Sequence, residues 1–275
     1  MSDQVVENKP AAEPAIRTVR VLIQPTPRKI RVRFGGETVA ESVKALIVHE
    51  RGHLPVYYFP REDVRFDLLE STDHSTHCPL KGDASYWTIQ AGGRISENAA
   101  WSYPEAIPES KGLEGYIAFY WDRVDQWFEE EEEVFVHPRD PYKRVDFLAS
   151  TRHIRVELDG VTVAESRSPV ISFETGQPVR YYLPEADVNS EYLLSSDTVT
   201  RCPYKGIAAY HSVQVAGTEH KDLIWRYNEP IAAAKAIEGR LSFYNERVQI
   251  YVDGELEVVA KSERSVLDSI RLHIA

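Results

Sequence analysis

The sequence predicts a mainly β protein made of two tandem copies of one small domain, with short helices. Three observations carry that reading. The 275-residue chain aligns with itself without a gap, Ile30 falling against Ile154 and every later residue keeping that shift of 124. Over positions 30–124 about 40 of some 95 pairs are identical, which chance does not produce. Within each copy, apolar and polar residues alternate over short runs separated by Gly-containing turns, as half-buried strands require.

Taken in order, residues 1–15 are rich in Pro, Ala and Glu and read as a disordered tail. The first repeat domain is expected over 16–137, with its repeating unit starting near Val19. Ile30-Arg31-Val32-Arg33-Phe34 alternates as a strand with one buried face should. Gly35-Gly36 then leads into Thr38-Val39-Ala40, predicting a hairpin with a tight primed turn. The second copy has Asp159-Gly160 at that turn, a pair equally suited to positive φ. Val56-Tyr57-Tyr58-Phe59 reads as an aromatic strand ended by Pro60, and residues 84–90, 100–103 and 116–120 as further strands. Only 104–111 and its alanine-rich counterpart 229–237 look helical inside the repeat. Pro138 and Pro141 mark a linker over 138–143. The second domain, with a C-terminal extension, is expected over 144–275. Within that extension, residues 257–274 place Val258, Val259, Val266, Leu267 and Ile270 loosely on one face of an amphipathic helix.

Composition narrows the function classes. The net charge of -11 argues against nucleic acid and anionic membrane surfaces as partners. No run approaches the ~18–20 apolar residues that span a bilayer, and the first residues lack the basic and apolar regions of a secretory signal. A cytoplasmic protein is expected. Two cysteines make no disulfide framework, which fits a reducing compartment.

The repeated motifs carry the chemistry. Tyr57-Tyr58-x-Pro60-x-x-Asp63-Val64 recurs as Tyr181-Tyr182-x-Pro184-x-x-Asp187-Val188, and Cys78-Pro79-Leu80-Lys81-Gly82 as Cys202-Pro203-Tyr204-Lys205-Gly206. Trp101-x-Tyr103 recurs as Trp225-x-Tyr227, and Phe119-Tyr120 as Phe243-Tyr244. Together these resemble the family called domain of unknown function 427, also labelled nucleotidyltransferase-like, over both repeats. The resemblance implies a β-tent-like domain of Mss4-like topology and no settled activity. The nucleotidyltransferase label finds no support, since no Gly-Ser followed by an Asp-x-Asp metal pair and no Gly-rich phosphate loop is present. The copies depart from the pattern differently. The first has Leu80 where the family favours tyrosine, while the second turns Arg61-Glu62 into Glu185-Ala186 and Trp87 into His211.

Cys78 and Cys202 beside a lysine could become nucleophilic thiolates, or serve as small buried hydrophobes next to a turn. Lys81 and Lys205 could hold a carboxylate or phosphate, form a Schiff base if desolvated, or stay solvated in the turn. Gly82 and Gly206 would let a ligand approach the backbone amides. Trp101 and Tyr103, and Trp225 and Tyr227, lie two apart and so share a strand face. With Tyr57, Tyr86, Tyr181 and Tyr210 they form either an aromatic pocket wall or core packing. His74, His77 and Cys78 suggest metal ligands, but the second copy has Thr198 and Arg201 at the histidine positions, so no metal is expected. The acidic run 129–133 reads as a solvated strand edge or loop. No cofactor and no catalytic residue is singled out. The sequence reads as a module binding a small polar or anionic metabolite in an aromatic pocket of each repeat, with the two repeats pairing intramolecularly; the alternatives are an enzyme acting on a carbonyl or acyl substrate through the lysine or cysteine, and a structural protein with no ligand. The oligomeric state is not legible.

Overall fold

The computed structural model describes residues 20–258. The tail at 1–15 and nearly all of the expected C-terminal helix lie outside the described residues. The first repeat contains eleven strands: β1 (Val21–Pro25), β2 (Ile30–Phe34), β3 (Glu37–Ser42), β4 (Leu46–Glu50), β5 (Val56–Pro60), β6 (Leu69–Cys78), β7 (Gly82–Ala91), β8 (Arg94–Ser102), β9 (Tyr116–Phe119), β10 (Gln126–Glu129) and β11 (Glu132–Val134). The second repeats them: β12 (Val145–Ala149), β13 (Ile154–Leu158), β14 (Val161–Ser166), β15 (Val170–Glu174), β16 (Arg180–Leu183), β17 (Leu193–Cys202), β18 (Gly206–Val215), β19 (Thr218–Pro230), β20 (Leu241–Phe243), β21 (Gln249–Val252) and β22 (Glu255–Leu256). The mainly β expectation holds, and each copy consists of one seven-stranded and one four-stranded sheet. The seven-stranded orders are β1-β4-β5-β9-β8-β7-β6 and β12-β15-β16-β20-β19-β18-β17, strand for strand the same. The small sheets run β11-β10-β2-β3 and β14-β13-β21-β22.

Alternation explains the layering. In β2, Ile30, Val32 and Phe34 are buried while Arg31 and Arg33 turn outward. They meet Ile47, Tyr57, Phe59, Ile89, Ile117 and Phe119 from the inner face of the large sheet. Burying each such side chain contributes about 1.5–3 kcal/mol, so this inter-sheet core is the main stabilising term. Gly36 and Gly160 sit in the expected turns at φ 84 and 79, where only glycine avoids a Cβ penalty. The outer face of the large sheet holds a second apolar cluster containing Tyr58, Tyr86, Trp101 and Tyr103. Its counterpart contains Tyr182, Tyr210, Trp225 and Tyr227.

Two expectations need correction. The helices expected at 104–111 and 229–237 are short 3₁₀ segments, Pro108–Leu113, which is two turns meeting at a kink at Ser110, and Ala232–Ile237. Such lengths cannot offset the cost of helix nucleation, and packing of Leu113 and Ile237 onto the outer face holds them instead. The polar run before Cys78 forms the edge strand β6, whose exposed residues explain its composition. In the acidic run, Glu129 is not solvated: it is buried, accepting hydrogen bonds from the Tyr57 hydroxyl at 2.8 Å and the Arg28 guanidinium at 2.9 Å.

The segment between the repeats packs on both of them. The Tyr142 hydroxyl donates to Gln24 at 2.6 Å, the Asp140 backbone N–H to the Tyr204 hydroxyl at 2.8 Å, and Lys143 pairs with Glu174 at 2.6 Å. No helix among the described residues is long and apolar enough to cross a membrane.

Candidate functional site

The turn between β6 and β7 is built around its lysine. The Lys81 N–H donates to the Cys78 carbonyl at 3.1 Å, and the Lys81 carbonyl accepts from the Ile107 N–H at 3.2 Å. Lys205 repeats both bonds with Cys202 and Ile231, at 3.4 and 3.1 Å. With the backbone clamped from both sides, the side chains lie against the protein: Lys81 is 8% exposed and Lys205 7%. Each ammonium instead pairs with a carboxylate at the end of a strand further across the same sheet, Lys81 with Glu50 on β4 and Lys205 with Glu174 on β15. Each pair closes one end of the aromatic face.

Strand alternation fixes which rings join it. Tyr58 on β5, Tyr86 on β7 and Trp101 on β8 project from the outer face, with Tyr103 just past β8. The Trp101 indole N–H donates to the Tyr58 hydroxyl at 3.2 Å, and Trp225 does the same to Tyr182 at 3.3 Å. The Tyr86 and Tyr120 hydroxyls lie 3.4 Å apart, as do those of Tyr210 and Tyr244. Burial, the largest cause in each case, pushes the Tyr120 and Tyr244 phenols up to about 12 and raises Tyr58, Tyr103, Tyr182 and Tyr227 further. At neutral pH these hydroxyls keep their protons and so offer hydrogen bonds rather than negative charge. Burial also works against ionisation of Glu174, but Lys205 and Lys143 outweigh it and hold the carboxyl below its usual range. The walls enclose a cleft of about 840 Å³ in the first copy, reaching His137 and Pro138, and one of about 200 Å³ in the second.

Of the residues singled out by motif, Cys78, Lys81, Tyr86, Trp101 and Tyr103 come together around the first cleft, and Lys205, Tyr210, Trp225 and Tyr227 around the second. Tyr57 packs with the inter-sheet core and reaches the first cleft only from its far wall. Tyr181 lies in the equivalent core and donates to Glu257 at 2.7 Å. Cys202 packs beneath the rings as a small apolar group. Gly82 and Gly206, at φ 103 and 107, face the backbone at Glu105 and at Glu229 and Ile231. Chain, rather than an approaching ligand, occupies the space their missing side chains leave. Among the described residues no three His, Cys, Asp or Glu side chains gather as a metal site would need.

Glu50 and Glu174 escape motif reading, although Glu50-x-Gly52 recurs as Glu174-x-Gly176 in the same alignment. So do Tyr58 and Tyr182, because in an adjacent Tyr-Tyr pair alternation alone does not say which ring faces outward. Tyr120 and Tyr244 carry a visible signal in the repeated Phe-Tyr.

No curated protein matches the chain. The sequence profile described as domain of unknown function (DUF427) matches residues 22–130 and again 146–254. Covering most of the chain in two tandem matches, it shows that this protein belongs to the DUF427 family.

Proposed function

We propose that each repeat is a binding module for a small polar or anionic metabolite, seated between the Cys-Pro-x-Lys-Gly turn and the Trp-x-Tyr strand. The observation that carries this reading is the duplicated buried Lys–Glu pair at the end of an open aromatic face. A core without a ligand role gains little from a buried ion pair, because desolvation offsets much of its Coulomb attraction. A pocket gains orientation from one: the ammonium attracts an anionic group, the carboxylate accepts from a hydroxyl or amine, and the rings exclude water. The engaged ammonium also argues against Schiff-base chemistry, which needs a free amine. The two unbridged cysteines suit a cytoplasmic setting.

A thermal-shift screen against a metabolite panel tests the reading. A ligand at a hundred times its Kd stabilises the native state by about 2.7 kcal/mol, a rise of several degrees. Tyr103→Phe and Tyr227→Phe, which remove only hydroxyls, should weaken that shift. A panel that moves no melting temperature, or shifts indifferent to both variants, would sink the reading.

A further inference from the structure

The second repeat fills part of its own pocket with a cation. The Arg180 guanidinium lies over the Trp225 ring at 5.5 Å and the Tyr244 ring at 5.7 Å, within the range of cation–π attraction. A fork of bonds to Glu246 at 2.7 and 2.8 Å neutralises it, and the Asn245 amide oxygen accepts a further bond at 3.1 Å. Arg180 stands on β16 opposite Ser172, and in the first repeat the matching pair across β4 and β5 is Val48 opposite Val56. The aromatic surface is otherwise retained. Trp101 and Tyr120 lie with ring centroids 4.4 Å apart, against 4.6 Å for Trp225 and Tyr244. A second cation, Arg123 or Arg247, is common to both copies: each is bonded to backbone carbonyls and lies over the tyrosine alone, at 5.0 or 5.9 Å.

The anionic partner is retained as well. Asp122 stands where the second copy has Glu246, is exposed just outside the residues that line the cleft, and lies close enough to Tyr120 for its charge to act on that phenol. Lys81 lies over Tyr103 and pairs with Glu50 at the other end of the cleft, so it does not substitute for the missing guanidinium. The first copy therefore keeps the rings and the carboxylate of a cation site but has Val56 where the cation's own side chain would stand.

We propose that the first cleft binds a small molecule carrying a guanidinium or alkylammonium group, placed over Trp101 and Tyr120 and paired with Asp122, as Arg180 is placed in the second copy. This rests on the reading of the first cleft as a metabolite pocket and names the charge its ligand brings. The remainder of such a ligand extends toward Lys81 and Glu50, which receive a carboxylate or a hydroxyl. The larger first cleft, about 840 Å³ against about 200 Å³, has room for it.

Isothermal titration calorimetry with L-arginine, agmatine and L-citrulline tests the proposal, citrulline being the uncharged isostere of arginine. The full chain should bind one equivalent of arginine or agmatine, and citrulline at least about tenfold more weakly, as expected for loss of a desolvated cation–π contact and an ion pair. Val56→Arg, which supplies the cation from within, should abolish that binding, and Arg180→Val should add a second equivalent. The exposed Asp122→Asn, which does not threaten folding, should weaken binding severalfold. No binding of either cation, equal binding of citrulline, or indifference to both Val56→Arg and Asp122→Asn overturns the proposal. If the metabolite panel yields only uncharged or anionic ligands, the cation inference fails while the pocket reading stands. If the panel and the cations all fail, both fall together.

Discussion

The two repeats share one architecture and differ in the residues that tune it. On the outer face the first copy has Val48, Val56 and Ala118, where the second has Ser172, Arg180 and Ser242. The Ser172 and Ser242 hydroxyls are buried without a hydrogen-bond partner, a cost the aliphatic floor of the first copy avoids. The ion pairs differ as well. Glu50 has one close ammonium, whereas Glu174 has two, because Lys143 reaches in from between the repeats. Duplication thus preserved the framework of strands, turn and rings, and divergence acted on charge and volume at the pocket. The difference teaches which parts of the site the fold needs and which parts a ligand would choose.

The largest expected effect tests the ion pairs. Lys81→Met leaves Glu50 buried without its ammonium and should cost about 3 kcal/mol, the lower part of the range for breaking a buried pair. Lys205→Met should cost about half as much, since Lys143 remains 2.6 Å from Glu174. Urea unfolding of both variants decides the matter, and equal losses would break the comparison.

A smaller effect concerns how the hairpins meet. In the first copy Gly35 and Gly92 approach so closely that a Cβ on Gly92 would stand 1.9 Å from the Gly35 carbonyl oxygen. In the second copy Asp159 and Ala216 occupy these positions at φ 50 with side chains in place. Gly92→Ala should therefore destabilise by about 2 kcal/mol, from overpacking and the positive φ. Ala216→Gly should shift the same unfolding curve by less than about 0.5 kcal/mol.

The smallest expected effect is pH dependence at the junction. His49 is buried 3.7 Å from Asp140, and burial lowers its pKa although Asp140 pulls the other way. The unfolded chain therefore binds this proton more readily than the native one. Stability should be complete above pH about 6.5 and fall as the pH drops below it, by at most about 1.4 kcal/mol per pH unit for this group. His137, also lowered by burial, adds to the same slope. The second copy has Phe173 at the position of His49 and nothing there to titrate. Melting temperatures from pH 7.5 to 5.5 should fall less in His49→Phe than in the parent chain. Parallel curves would remove His49 from the account.

Repetition made much of this readable in advance. The gapless alignment carries the number of domains, the equivalence of their parts and the importance of the Cys-Pro-x-Lys-Gly turn, because a residue kept in both diverged halves is constrained in both. Alternation in Ile30–Phe34 and the Gly-Gly and Asp-Gly pairs carry the β class and the hairpins, since both are local consequences of backbone sterics and pleat. What spans the sheets is not local. That Lys81 finds Glu50 depends on β4 and β7 lying in one sheet with β5, β9 and β8 between them, a strand order no periodicity encodes. That Tyr58 rather than Tyr57 faces the pocket depends on which side of the large sheet the small sheet covers. That Arg180 lies over Trp225 depends on the pairing of β16 with β20 and of β20 with β19. The chain alone determined the duplicated β framework and the residues it repeats. Tertiary pairing decided which of them meet, because hydrogen-bonded register places side chains far apart in sequence within reach of one another.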